Sequence, residues 1–394
     1  MEFRLSKKAV HLRRCMMDAF HLRNATDMIF FNAGQPAVDI LPAAMLRDVW
    51  DDMLTNEPQV LAYPNARGDA EFLEAVAERM DRLGIAPGVK SDRIIATNGG
   101  TGAADLIAQL LIDPGDLVLT ETPTFPETLD CFYKGYARLE GVPMDIDGPL
   151  PVALEELVKK ETPKFFYVIP NFQNPTGFTT SEAKRKAIYA LAQRYDLMIL
   201  EDDPYGELRY EGEFLTPIKS MDTDGRVIYG GSFSKTMAPA LRVGFIVAEK
   251  NLMKRLIVAK QTGDVHTATL TQEICYRYMA EHDFEGHLRD IRRIYAVKCK
   301  RMLDDMEQKF SPAITFNRPQ GGLFVTAFLP EGMDAWSFVQ EGIARKVATV
   351  PGVAFVMDQN VPSNAFRMNF SMPSLDQIDQ GTDILGKLTY EWCK

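Results

Sequence analysis

Gly230-Gly231-Ser232-Phe233-Ser234-Lys235-Thr236-Met237-Ala238-Pro239-Ala240-Leu241-Arg242-Val243-Gly244 follows directly on the apolar run Val227-Ile228-Tyr229. The run reads as a strand. It delivers two hydroxyls, a lysine and, seven residues on, an arginine to the mouth of a sheet. A lysine in that position is poorly placed for simple solvation. It is well placed to form a Schiff base with an aldehyde whose phosphate is held by Ser232, Ser234 and Arg242. Taken alone, the stretch fits an ordinary loop lysine equally well, so the reading turns on the rest of the chain.

On either side, from about residue 90 to 250, strand and helix patterns alternate. Expected strands are Arg93–Thr97, Leu117–Thr120, Ala137–Pro143, Phe165–Ile169, Leu197–Glu201, Val227–Tyr229 and Val243–Ala248. Several are continuous apolar runs, as suits strands covered by helices on both faces. Helical patterns lie between them at Ala103–Ile112, Ser181–Tyr195 and Leu252–Gln261. The pattern predicts an α/β fold: an open, mostly parallel sheet flanked by helices, with chemistry at the carboxyl ends of strands. A long charged helical stretch, Asp283–Phe310, then leads to a smaller α+β region. The expected division is an N-terminal arm and helix over 1–45, a large α/β domain over 46–285, and a connecting helix with a small domain over 286–394. The arm is expected to pack on the small domain.

Three further clusters fall at expected strand ends. Asn98-Gly99-Gly100-Thr101-Gly102 joins a strand to a helix, and such a glycine-rich turn with a helix N-terminus makes an anion cradle. It lacks the Gly-Lys-Ser/Thr of a Walker A loop, and Asp105 stands where GxGxxG needs its third glycine. Asn171-Phe172-Gln173-Asn174-Pro175-Thr176-Gly177 is a turn by composition, and it sets the Asn174 amide where it can donate to a phenolate-type oxygen. Glu201-Asp202-Asp203-Pro204-Tyr205 offers three successive carboxylates. Strand residues alternate faces, so only one or two can converge. A single buried aspartate is what a pyridinium nitrogen requires. Near the C-terminus, Arg367 lies in the apolar stretch Ala365-Phe366-Arg367-Met368, as suits bidentate capture of a carboxylate.

Composition excludes other classes. The 394 residues are 46% hydrophobic and 25% charged, as in an ordinary soluble globular protein. The net charge of −10 disfavours nucleic acid or an anionic membrane as partner. No stretch approaches the roughly 18 apolar residues that span a bilayer, and Met1–Arg14 does not read as a secretion signal. Five scattered cysteines (Cys15, Cys131, Cys275, Cys299, Cys393) without CxxC spacing suggest reduced thiols and a cytoplasmic setting. The five histidines include no HExxH, so no metal site is expected. Ser232-Phe233-Ser234-Lys235 is formally SxxK, yet neither Ser-Asp-Asn nor Lys-Thr-Gly completes that acylation motif.

With these residues in order along nearly the whole chain, the sequence resembles the fold-type I pyridoxal-phosphate enzymes, specifically the class I/II aminotransferases. It is most similar to their 2-aminoadipate, kynurenine and aromatic branch. The resemblance implies pyridoxal 5′-phosphate as cofactor, with Lys235 as its covalent anchor and proton shuttle. Asp202 would pair with the ring nitrogen, Tyr205 and Asn174 with the ring's 3-oxygen, and Phe125 would stack on the ring. Ser232, Ser234, Arg242, Gly100 and Thr101 would hold the phosphate, with Tyr63 reaching the phosphate of a neighbouring subunit in a homodimer. Arg367, Asn174 and Gly34 would meet the substrate. One departure is that Gly100-Thr101 stand where this branch commonly has Ser-Gln, which removes one hydroxyl from the phosphate cradle. Such a contact is worth about 1 kcal/mol, too little to abolish covalent cofactor binding.

The implied reaction is ping-pong exchange of an amino group between an α-amino acid and a 2-oxo acid such as 2-oxoglutarate. The donor side chain is left open among aromatic, aminoadipate-like and long aliphatic; Arg23 could serve a side-chain carboxylate. A β-eliminating C–S lyase is the rival within the same cofactor class. A non-catalytic ligand sensor would need an N-terminal winged helix, and the Gly34 and Tyr63 matches already occupy that part of the chain. A nicotinamide dehydrogenase leaves Lys235 unexplained.

Overall fold

The computed structural model describes residues 4–6 and 27–394. The helix expected in the first 45 residues before Asp27, together with Arg23 and Cys15, lies outside the described residues.

The chain enters through a short strand, β1 (Ile29–Phe30), and two helices, Ala43–Asn56 and Ala70–Arg82. Eight strands then build the large sheet: β2 (Ile94–Thr97), β3 (Leu117–Thr122), β4 (Arg138–Asp145), β5 (Gly148–Pro149), β6 (Phe165–Val168), β7 (Met198–Asp202), β8 (Val227–Ser232) and β9 (Gly244–Val247). Their order is β2-β9-β8-β7-β6-β3-β4-β5. The neighbours from β8 through β4 are parallel, while β9 runs antiparallel to both β2 and β8, and β5 antiparallel to β4. The sheet is thus mostly parallel, as the apolar runs require. Every residue of β2, β6 and β9 is buried, because helices cover both faces.

The glycine-rich stretch behaves differently from the turn expected of it. Helix Gly99–Leu111 begins at its first glycine, so Gly100 and Thr101 sit in the first helical turn. Their amides therefore point out of a helix N-terminus instead of a loop.

Helix Phe284–Lys309 links the large sheet to a four-stranded antiparallel one. The order there is β10 (Thr315–Phe316), β11 (Phe324–Phe328), β14 (Ala365–Asn369) and β13 (Val350–Pro351), while β12 (Val347–Ala348) pairs instead with β1. Helix Leu375–Trp392, fixed by a Ser374–Gln377 capping box, packs along Phe284–Lys309. The entering segment is stitched to this C-terminal region. Beyond the β1–β12 pair, the Asn369 amide donates to the Phe31 carbonyl at 2.7 Å.

Among the described residues no helix is long and apolar enough to cross a membrane.

Candidate active site

A cavity of about 870 Å³ opens where the carboxyl ends of β7 and β8, the N-termini of helices Gly99–Leu111 and Pro126–Lys134, the segment after β1, and β14 meet. Gly34, Gly100, Thr101, Phe125, Asn174, Asp202, Tyr205, Ser232, Ser234, Lys235, Arg242 and Arg367 all line it. Among the described residues, the fold thus brings together those assigned to the site from the sequence except Tyr63; Arg23 lies outside the described residues.

Lys235 lies just past β8, half-buried, and its Nζ donates to the Gly34 carbonyl at 2.5 Å. Burial is the main influence on its amine, lowering the pKa to about 8. Arg367 and Arg242 push the same way, while Glu127 and Asp202 oppose. A pKa of about 8 leaves a far larger share of free amine near neutral pH than an ordinary lysine offers, as a nucleophile and base require.

One end of the cavity gathers donors. Arg242 Nη1 reaches Ser234 Oγ at 3.3 Å, and the Ser232 and Ser234 hydroxyls lie 3.1 Å apart. Arg242 takes a left-handed backbone (φ 53°) at the end of the turn Pro239–Leu241. Its Nη2 donates to the Asn98 carbonyl at 3.0 Å, across the start of helix Gly99–Leu111. A guanidinium, two hydroxyls and a helix N-terminus therefore converge on one anion-sized space.

Of the three successive carboxylates, only Asp202 opens on this space. Glu201 turns away and accepts from the Ile218 and Lys219 amides at 2.9 and 2.6 Å. Asp203 accepts from Asn171 Nδ2 at 3.0 Å and the Gly206 amide at 2.8 Å. Asp202 Oδ2 accepts from the Tyr167 hydroxyl at 2.7 Å, and Oδ1 turns toward Gly100 and Gly230. A Cβ added to Gly100 would lie 3.9 Å from Asp202 Oδ1 and 4.0 Å from Ser232 Cβ, so these residues enclose one small volume. Burial raises the Asp202 pKa to about 6, with Tyr167 the strongest opposing influence.

At the opposite wall Arg367 is buried, 2% exposed. It donates to Asn174 Oδ1 and to the Asn32 carbonyl, each at 2.7 Å. It also lies 4.2 Å from the Phe324 ring centre and 4.9 Å from that of Phe355, while its Nε has no hydrogen-bond partner among the described residues. Burial lowers its pKa to about 10, which leaves it charged near neutrality. The Asn174 amide also reaches the Tyr205 hydroxyl, whose ring meets Phe324 edge-on at 5.9 Å.

Three residues escaped the sequence reading. Tyr167 sits in a fully buried strand, where its ring looks like any core aromatic. Its signal is register: it pairs with Leu200, two residues before Asp202 and on the same face. Asn32 contributes its backbone carbonyl, for which sequence carries no mark. Glu127 follows Pro126 in the first turn of its helix, where an acidic residue is routine. Tyr63 lies outside the cavity, 89% exposed, with its ring edge-on to His266 at 5.6 Å.

The donor set fits a phosphorylated pyridine aldehyde: an anion cradle, a carboxylate facing the same volume, an aromatic ring at Phe125 and a half-buried lysine of lowered pKa. Among the described residues one acidic trio, Asp69, Glu71 and Glu273, lies within ligand-sharing distance, outside the cavity. Two of the three have other work, Asp69 capping its helix and Glu273 pairing with Arg277.

The family model for aminotransferases of class I and II matches residues 26–385. The aromatic-amino-acid aminotransferase 1 of Thermococcus litoralis is 36% identical over 99% of this chain and 94% of its own. Kynurenine aminotransferase from Pyrococcus horikoshii, solved in complex with PMP, superposes with a TM-score of 0.94 at 32% identity, covering 99% of this chain and 98% of its own. LysN, the α-aminoadipate aminotransferase of Thermus thermophilus, solved with N-(5′-phosphopyridoxyl)-L-leucine, gives 0.91 at 30% identity, with 99% and 98% covered. All three are named as aminotransferases, and none as a β-eliminating lyase.

Proposed function

The chain belongs to the class I and II aminotransferases and is a pyridoxal-phosphate-dependent transaminase, and on that footing we propose how its own residues divide the work. Bound pyridoxal phosphate supplies an aldehyde for amine exchange and a ring that takes up the electron pair released at the substrate Cα. Arg242, Ser232, Ser234 and the amides of Gly100 and Thr101 hold its phosphate. Phe125 covers one ring face, Asp202 keeps the ring nitrogen protonated, and Tyr205 with Asn174 binds the 3-oxygen.

Arg367 and Asn174 grip the substrate α-carboxylate, with Gly34 beside it. That fixes Cα near Lys235. Lys235 Nζ, free as an amine once substrate is bound, would remove the Cα proton and redeliver it; water would release the 2-oxo acid, the amino group being left with the cofactor. A second 2-oxo acid then reverses the sequence. The observation that carries this division is the enclosure of Lys235, Asp202, Arg242 and Arg367 in one cavity. Lys235→Ala should lose both the near-ultraviolet/visible absorbance of the attached cofactor and nearly all turnover. Retention of both would overturn the assignment.

For the donor we propose an aromatic or long apolar α-amino acid. Phe30, Phe125, Ile169 and Met372 contribute apolar surface to the cavity, and the Thermococcus relative is named for aromatic amino acids. The assembly we propose is a cytoplasmic homodimer in which exposed Tyr63 completes the partner's phosphate cradle, and light scattering that found a fully active monomer would contradict it. The domain limits proposed with it are 1–45, 46–285 and 286–394, supported by the passage of helix Phe284–Lys309 between the two sheets.

A further inference from the structure

Glu127 lines the same cavity as Lys235 and Arg367, yet the division of work above leaves it without a task. It stands in the first turn of helix Pro126–Lys134, two residues past the ring-covering Phe125. Its Oε2 is buried and, among the described residues, has no hydrogen-bond partner. Its carboxyl accepts a hydrogen bond from its own backbone amide. A carboxyl held this way is oriented without being consumed, and its free oxygen is left for whatever fills the cavity.

The electrostatic setting follows from its neighbours. Burial raises the Glu127 pKa above that of an ordinary carboxyl and Asp130 adds to this, while the cations Arg367 and Lys235 favour its charged form. When an amino acid is bound, its α-carboxylate neutralises Arg367 and its amino group takes the place of Lys235. The two cations facing Glu127 are then engaged, and among the described residues no other group is left for its oxygen, which can meet the substrate side chain. A hydrogen-bond donor or a cation there satisfies it, and a methyl group leaves it as it was. Above that raised pKa, a second carboxylate meets a like charge in a cavity that screens poorly.

We propose that Glu127 sets the side-chain charge preference of this enzyme, admitting neutral and donor-bearing amino acids and disfavouring those with a side-chain carboxylate. This rests on the transamination reading and names its substrate class. The same charge disfavours 2-oxoglutarate as acceptor relative to a monocarboxylic 2-oxo acid.

Norleucine, lysine and 2-aminoadipate differ chiefly in ending on a methyl, an ammonium or a carboxylate, so they isolate the effect. With the wild-type holoenzyme, kcat/KM for norleucine should exceed that for 2-aminoadipate. In Glu127→Gln the 2-aminoadipate value should rise about tenfold relative to norleucine, and the lysine value should fall. Ratios unchanged to within about twofold would overturn the proposal. So would a common change in all three donors, the signature of a residue that only tunes Lys235.

Inhibition of the wild-type holoenzyme gives a check independent of any variant. Hexanoate should compete more tightly than adipate, and the reverse order would sink the idea. Absence of turnover with every donor overturns the transamination reading as well, whereas turnover with unchanged ratios overturns the Glu127 assignment alone.

Discussion

The hydroxyl of Tyr167 donates to Asp202 Oδ2 across 2.7 Å, from the neighbouring strand of the sheet. Burial alone drives the Asp202 carboxyl toward its neutral form, and this bond is the strongest influence holding it back. Tyr167→Phe removes the bond and keeps the ring. The Asp202 pKa then rises above about 6, so the carboxylate is lost at a higher pH. The acid limb of the kcat/KM profile should move toward neutrality, with roughly fivefold lower activity near its foot and little change on the alkaline side. A profile identical to wild type would show that the bond does not govern the carboxylate.

Glu121 on β3 is fully buried and accepts from the Ile169 amide at 2.9 Å, while its second oxygen has no partner among the described residues. Burial raises its pKa to about 8. A raised acid pKa means the folded state keeps a proton that the unfolded state releases. The associated stability is fully present below the unfolded value, near 4.5, and is lost as pH climbs through about 8. Between about pH 5 and pH 8 the cofactor-free wild type should lose on the order of 1–3 kcal/mol from this group. Glu121→Gln, which mimics the protonated acid, should flatten that slope in urea titrations. Equal slopes in the two proteins would refute the assignment.

Arg367 makes two bonds of 2.7 Å in different directions from one planar guanidinium, stacked near Phe324 and Phe355. Lysine cannot reproduce that fork. Arg367→Lys should raise KM for the amino donor about thirtyfold, with a smaller effect on kcat, as expected when a charge-assisted contact to bound substrate is weakened. Steady-state kinetics that showed kcat falling with KM unchanged would argue against a carboxylate clamp.

Gly99 has φ +73°, and a Cβ there would overlap Arg242 Nη2. Gly99→Ala therefore both strains the backbone and displaces the arginine of the anion cradle. The expected cost is about 1–3 kcal/mol of cofactor affinity, seen as faster loss of pyridoxal phosphate on dialysis. Thermal stability of the cofactor-free protein should fall by less. Unaltered retention of the cofactor would mean Arg242 is not needed where it stands.

How far the chain announces this site depends on what kind of group does the work. Lys235, Asp202 and Arg242 follow strands whose apolar runs are visible residue by residue, so their position at a sheet mouth is legible. Arg367 and Lys235 lie far apart in sequence, and residue type alone hints that they share a cavity. Tyr167 is hidden because a buried strand has no polar face to alternate with, and only register places its hydroxyl beside Asp202. Asn32 is invisible in principle, since the group used is a carbonyl that every residue has. The glycine-rich stretch misled in a smaller way. Glycine signals a turn, but a helix N-terminus satisfies the same need for bare amides, and Gly99 starts the helix outright. The antiparallel insertion of β9 between β2 and β8 was likewise beyond the local pattern, because strand direction is decided by the crossover and not by side-chain periodicity.

The segment after β1 supplies the Gly34 carbonyl to Lys235 and the Asn32 carbonyl to Arg367, and β1 itself is held by β12. Synthesis runs from the N-terminus, so the ribosome releases this wall of the pocket first and its partners last. A nascent chain halted before β14 carries Lys235, Asp202 and the anion cradle, but lacks the arginine that anchors Asn32 and the strand that receives Phe31. The lysine would emerge into the cell long before the pocket that lowers its pKa and shields it can close. Chains stalled at successive lengths should therefore gain stable cofactor attachment only once Asn369 has cleared the exit tunnel.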